Sequence, residues 1–159
     1  MRVLGIDPGY ERVGVAIVDK DRSEEILVFS DCITTSRKSA HSQRLEEICS
    51  EVEKLIDQYR PDSMSIETLF FNSNQKTAMK VSEARGAIIR AASKKGIDVS
   101  EYTPLEIKIA ITGYGRADKS QVTNMVKRLT KVSKLPKYDD EYDAIAIALT
   151  HLATNRLSI

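Results

Sequence analysis

The 159-residue chain has no apolar run approaching the length of a membrane span and no secretory pattern at its start, which sets the expectation of a cytoplasmic protein. Cysteine is scarce. Cys32 and Cys49 sit within apolar patterns and lack metal-ligand spacing, so they read as buried free thiols of a reducing compartment. No internal repeat and no low-complexity linker interrupts the chain, and its length suits one domain spanning residues 1–159 with a proper core. Excess charge of either sign is missing too: the formal net charge is +1. Taken whole, that figure argues against a nucleic-acid partner.

The distribution of charge argues the other way. Residues 103–137 carry eight basic side chains against two acids, a net +6, and "YDDEYD" at 138–143 follows with four acids. Segregation of this kind can set a basic surface beside an acidic pocket, with ordinary solvated helix faces as the plain alternative. Charged residues at 30% and apolar ones at 42% fit a folded globular protein.

Hydrophobic period divides the chain into elements. Residues 2–7 and 13–19 run apolar about a Pro-Gly turn and predict a hairpin, and "EEILVFSDCITT" predicts a third strand. Between Ser39 and Tyr59 the period changes to that of a helix: Leu45, Ile48, Cys49, Val52, Leu55 and Ile56 share one face. "SMSIETLFF" predicts a fourth strand, residues 74–95 a long helix closed by Gly96, and "IDVSEYT" a fifth strand. Helices are expected from Pro104 to Gly113, from an Asp118 cap to Val132, and from Asp140 to Ala153. The order implies an α/β fold with a five-stranded mixed sheet covered by helices.

Acids interrupt this pattern in three places. Asp7 ends the first apolar run, Glu67 follows "SMSI", and Asp140 and Asp143 stand at i and i+3 near the start of the last helix. Buried carboxylates are costly without cations, and clustered ones repel. Mg²⁺ is the natural partner for such a set, and two ions suit an in-line displacement at phosphorus, with Mn²⁺ as a substitute. Taken singly, each acid also reads as a turn, edge-strand or cap residue.

With these residues assembled, the chain resembles the RuvC family of Holliday-junction resolvases, within the ribonuclease H-like superfamily. The resemblance rests on "LGIDPG", "VGVAIVD", "SIETLFF", "NQKTAMKVSEARG", "GYGRADKSQVTNMV" and "YDAIAIALTH", and it covers nearly the whole chain. It implies a ribonuclease H-like sheet whose first three strands are antiparallel, and catalytic, metal-holding carboxylates at Asp7, Glu67, Asp140 and Asp143. Asp139 is a rival for the third of these, because it shares a helix face with Asp143. Val13 departs from the family, which usually has a small hydroxyl residue there.

The resemblance further implies a homodimer that binds four-way junction DNA and nicks two strands of like polarity in recombination and repair. It also implies work alongside the RuvA–RuvB branch-migration complex. Lys108 and Lys119 match basic residues near the scissile phosphate. Phe70 would stack on an unpaired base, with the core as its plain alternative. Lys76, Lys80 and Arg116 would contact phosphates. Met79, Ala84 and Gly86 would suit packing against a twin helix, or within one subunit. His151 reads as a histidine at a helix C-terminal dipole, with a metal role as the alternative. His41 reads as a surface residue. Three rivals to a resolvase are an RNA-processing YqgF-type nuclease, one lobe of the sugar-kinase and actin superfamily, and a junction-binding module without catalysis.

Overall fold

Alternation along the strands decides the layout. In the computed structural model, which describes residues 1–22, 24–69, 75–132 and 136–155 and no side chain at 75, 76 or 132, successive side chains of each central strand enter two different cores. Strands β1 (Arg2–Asp7), β2 (Arg12–Asp21) and β3 (Glu24–Thr34) form an antiparallel meander, with a register shift at Ile17/Val18. Helix α1 (His41–Tyr59) then crosses to β4 (Ser63–Glu67), parallel to β1, and α2 (Gln75–Lys94) to β5 (Asp98–Tyr102), parallel to β4. Helices α3 (Pro104–Thr112) and α4 (Lys119–Leu129), strand β6 (Thr130–Val132) and helix α5 (Asp139–Thr154) complete the chain. The sheet order is β5-β4-β1-β2-β3-β6.

One sheet face is bulky. Leu4, Ile6, Val15, Ile17, Met64 and Ile66 pack against Ile48 and Val52 of α1 and Ile88 of α2. The opposite face, beneath α5, is nearly bare of bulk at its centre: Gly5, Gly14, Ala16, Ser63 and Ser65 alternate with those large residues. Helix α5 answers with Ala144, Ala146 and Ala148, all buried. Side-chain caps define the shorter helices. Thr103 Oγ1 accepts the Glu106 N–H at 3.2 Å, and Asp118 Oδ1 accepts that of Gln121 at 2.9 Å.

The sheet has six strands, not five. The expected helix through Val132 stops at Leu129, and Thr130 to Val132 pair in parallel with Glu25, Ile26 and Leu27 of β3. β-Branched Thr130 and Val132 suit an extended segment, and the outer edge of β3 supplies the backbone partners. Strand β4 likewise ends at Glu67, short of the expected Phe71, and Phe71 lies outside the described residues. On α2, Ala84 is fully buried in its own core, whereas Met79 is exposed and the Gly86 Cα faces open space.

Candidate active site

Parity carries the first two acids to one face. Asp7 follows Val3 and Gly5 at two-residue steps, and Glu67 follows Ser63 and Ser65, so both acids point to the α5 side where their parallel strands end. Pro8 and Gly9 then take the chain out of the ladder. Helix α5 reaches these acids because nothing holds it off: a Cβ on Gly14 would lie 2.0 Å from the Asp140 carbonyl oxygen, and one on Gly5 would lie 2.2 Å from that of Ala144. Gly14 is also the register partner of Asp7. Backbone-to-backbone contact therefore sets the height of Asp140 and Asp143 above Asp7.

The start of α5 is tied down by a residue whose part the sequence did not reveal. Glu141 is 3% exposed, and its Oε1 accepts the backbone N–H groups of Lys137 and Tyr138 at 2.8 and 3.1 Å. Its Oε2 accepts the Ser30 hydroxyl from β3. Three donors thus satisfy this buried carboxylate and pin the helix to the sheet beside Asp140. Glu141→Ala strands those donors and should cost about 2–3 kcal/mol in urea unfolding, with cleavage falling in step. Glu141→Gln keeps an acceptor for both N–H groups and should stay near the parent.

Asp7, Asp140 and Asp143 each offer a carboxylate oxygen, and the three lie within 4.8 Å of one another. Burial first, then the charges of Asp143, Glu67 and Asp140, push the Asp7 carboxyl up to about 8. Glu67 is pushed up to about 7 by burial and by Asp143, against the pull of Lys108. Asp143 is raised by burial, although its contact with Lys119 opposes the shift. Burial alone would lower Lys119. Its hydrogen bond to Asp143 at 3.0 Å, with Asp139 at 3.6 Å, outweighs burial and lifts it instead. The group is short of positive charge. Hard oxygen ligands crowded in this way suit a divalent cation, and Asp7, Asp140 and Asp143, with Glu67 beside them, are the residues that could hold one.

Asp139, the rival acid, is mostly exposed and faces Lys119 rather than the triad. Lys108 and Lys119 line a cavity of 230 Å³ together with Glu67 and Asp143, over an apolar floor that includes Ile107 and Ile147. A second cavity, of 720 Å³, begins on the other side of Asp140 and is lined by Tyr10, Arg12, Arg37, Arg44 and Lys80. Lys80 lies 5.3 Å above the Tyr10 ring, with the buried Arg44 at 3.8 Å from that ring. Arg116 is exposed between α3 and α4. Phe70 and the Lys76 side chain lie outside the described residues.

His151 stands in the last turn of α5, as expected, but turned into the protein rather than toward solvent. It is 4% exposed, with Nε2 2.9 Å from Ser63 Oγ and 2.8 Å from Asn155 Nδ2, and Nδ1 2.9 Å from the Tyr102 hydroxyl. Burial lowers its pKa, so it is a neutral link between α5 and strands β4 and β5 rather than a cation on the helix dipole. His41, half exposed, joins the Tyr10 hydroxyl at 2.7 Å to Glu83 at 2.8 Å. Both thiols are half-buried and free, and burial raises each, Cys32 to about 12 with help from Asp140 and Glu141.

The tyrosine and arginines of the larger cavity had no signal beyond the "YER" that follows Pro8-Gly9. Only the Asp7–Gly14 register shows that this turn opens beside the acids.

A three-stranded meander continued by parallel strands, with carboxylates gathered where a helix crosses the strand ends, defines a protein of the ribonuclease H-like class. A family model described as "Crossover junction endodeoxyribonuclease RuvC" matches residues 3–151. A relative of that description from Finegoldia magna is 51% identical over 152 residues, covering 96% of this chain and 93% of its own. Among solved structures, Thermus thermophilus RuvC superposes with a TM-score of 0.90 at 32% identity, over 99% of this chain and 97% of that one. The T. thermophilus RuvC in complex with Holliday junction substrate superposes with a TM-score of 0.93 at 33% identity, over 99% and 96%. The chain belongs to the RuvC family.

Proposed function

We propose that this chain is a Mg²⁺-dependent, structure-specific endodeoxyribonuclease that resolves four-way DNA junctions by paired, symmetric nicks in strands of like polarity. The observation that carries the reading is the convergence of Asp7, Asp140 and Asp143 within 4.8 Å, coupled to Glu67, in a chain of the RuvC family. These four acids are the proposed catalytic and metal-holding set. Held by these acids, two Mg²⁺ ions, or Mn²⁺ in their place, would supply nucleophile activation and stabilisation of the leaving oxygen.

The chain's own residues do the rest. Lys108 and Lys119 share one cavity with Glu67 and Asp143, so their ammonium groups flank the place where negative charge grows on the scissile phosphate. Lys119 also steadies Asp143 through the 3.0 Å contact. Arg116, Lys76 and Lys80 hold backbone phosphates, which position the duplex arms without reading sequence. Phe70 stacks on a base at the branch point.

A homodimer supplies two such sites, one to each strand cut, and leaves 5′-phosphate and 3′-hydroxyl ends. The exposed Met79 and the open Gly86 on α2 favour that helix as the contact. RuvA–RuvB is the proposed partner complex and the cytoplasm the proposed setting. Residues 1–159 act as a single nuclease domain. Among the described residues no helix is long and apolar enough to cross a membrane.

The test incubates the chain and Mg²⁺ with a labelled synthetic four-way junction, a linear duplex and an RNA–DNA hybrid. Symmetric nicks in the junction alone are expected, and cutting of the hybrid or of the linear duplex instead would overturn the reading. Junction affinity should fall at least about a hundredfold between roughly 50 and 200 mM salt, read by gel shift. A flat response would remove the phosphate contacts from the account.

A further inference from the structure

Arg12 opens β2 on the border between the acid group and the basic cleft. Its Nε lies 2.9 Å from Asp140 Oδ2, and its guanidinium carbon lies 5.4 Å from the centre of the Tyr138 ring. Half of the side chain is exposed, and it lines the 720 Å³ cavity together with Asp140. The contact with Asp140 is close but off line. Asp140 Oδ2 is buried and has a cation beside it, yet no N–H is aimed at it within hydrogen-bond geometry. Arg12 therefore compensates the carboxylate by proximity, and its planar fork of donors is not spent on it.

The neighbouring cations of the cleft are differently placed. Arg44 is buried and donates to Thr35 Oγ1 and to the Tyr10 carbonyl, so it has no freedom to move. Arg37 pairs with Glu11 at the exposed rim. Arg12 alone among the described arginines of this cavity touches an acid of the triad. A guanidinium does not lose its proton near neutral pH, so its charge at Asp140 can be replaced only by another cation. A divalent ion on that carboxylate would stand within a few ångströms of the guanidinium and repel it. The open side of Arg12 faces the cleft, with the Tyr138 ring as a flat support from which to turn.

We infer that Arg12 is a displaceable counter-ion: it holds Asp140 until a divalent cation takes that carboxylate, and the released guanidinium then binds a DNA phosphate in the cleft. Metal and junction thereby reinforce each other through one positioning side chain, and by linkage the gain is equal in both directions. The inference rests on the acid group being the metal site.

The experiment titrates Mn²⁺ into the full chain without DNA, by calorimetry and by the loss of free-ion paramagnetic signal. Arg12→Ala should bind Mn²⁺ about three- to fivefold more tightly than the parent, the span expected for removing one half-exposed charge partner. Arg12→Lys keeps the charge and should stay at the parent value. Junction affinity measured in chelator and then in Ca²⁺ should rise less for Arg12→Ala than for the parent.

Unchanged or weaker Mn²⁺ binding by Arg12→Ala overturns the inference, as does equal tightening in Arg12→Lys or an undiminished gain with Ca²⁺. Asp140→Asn tests the underlying reading separately. If the parent binds Mn²⁺ and Asp140→Asn binds it equally well, the acid group is not the metal site and the inference falls with it. A normal loss in Asp140→Asn beside an unaltered Arg12→Ala removes the counter-ion role alone.

Discussion

Asp7→Asn loses junction cleavage by about a thousandfold or more while keeping junction affinity, or gaining it. The size is that expected for removing a carboxyl from the centre of the acid group proposed to hold the metal. About 4 kcal/mol of transition-state stabilisation corresponds to that factor, and Asp7 is the residue on which Asp143, Glu67 and Asp140 all bear. The direction of the binding change follows from charge. The acid group as a whole repels phosphate, and asparagine, which cannot ionise, can only lower its negative charge without changing the shape of the turn. Single-turnover cleavage of a labelled junction and gel-shift titration on the same preparation read the two quantities. Parallel loss of both would mean that Asp7 shapes the DNA-binding surface rather than the chemistry.

Gly14→Ala should be the most damaging small substitution in the sheet. The added methyl would lie 2.0 Å from the Asp140 carbonyl oxygen and 2.6 Å from its carbon, and both are backbone atoms that no rotamer change can move aside. Either α5 lifts or the β1–β2 pairing at Asp7 opens. Overpacking of this kind costs about 3 kcal/mol, and a lifted helix carries Asp140 and Asp143 away from Asp7. The expected result is a lower urea midpoint together with loss of cleavage that excess Mg²⁺ does not restore. A variant with parental stability and full activity would show that close approach of α5 is not what assembles the site.

The four acids were legible in the sequence because each breaks a hydrophobic pattern at a place where geometry has few options. Asp7 and Glu67 end apolar strands, and Asp140 and Asp143 share the first turns of a helix. Asp140 could be preferred over Asp139 only by resemblance. In the structure Asp140 stands with Asp7 and Asp143, while the exposed Asp139 lies against Lys119. What could not be read depends on contacts between distant segments. Glu141 looks like one more surface acid until Ser30, 111 residues away, is seen to donate to it. Strand β6 continues a helical pattern and becomes extended only because the edge of β3 offers it backbone partners. Arg12 gains its meaning from the distance to Asp140. His151, two turns along α5 from Asp143, suggested a helix-end cation and is instead a buried neutral link.

The two faces of the sheet carry different obligations. Beneath α5 the spacing is governed by main-chain atoms meeting across Gly5 and Gly14, so the acids keep their separation whatever fills the far side. The layer of Leu4, Ile17 and Met64 against α1 and α2 has no such constraint. Evolutionary drift can rework that layer and the outer surface of α2, altering what that surface can meet, while the geometry of the acids is inherited unchanged. Variation among descendants should therefore accumulate on one side of the β-sheet and stall on the other.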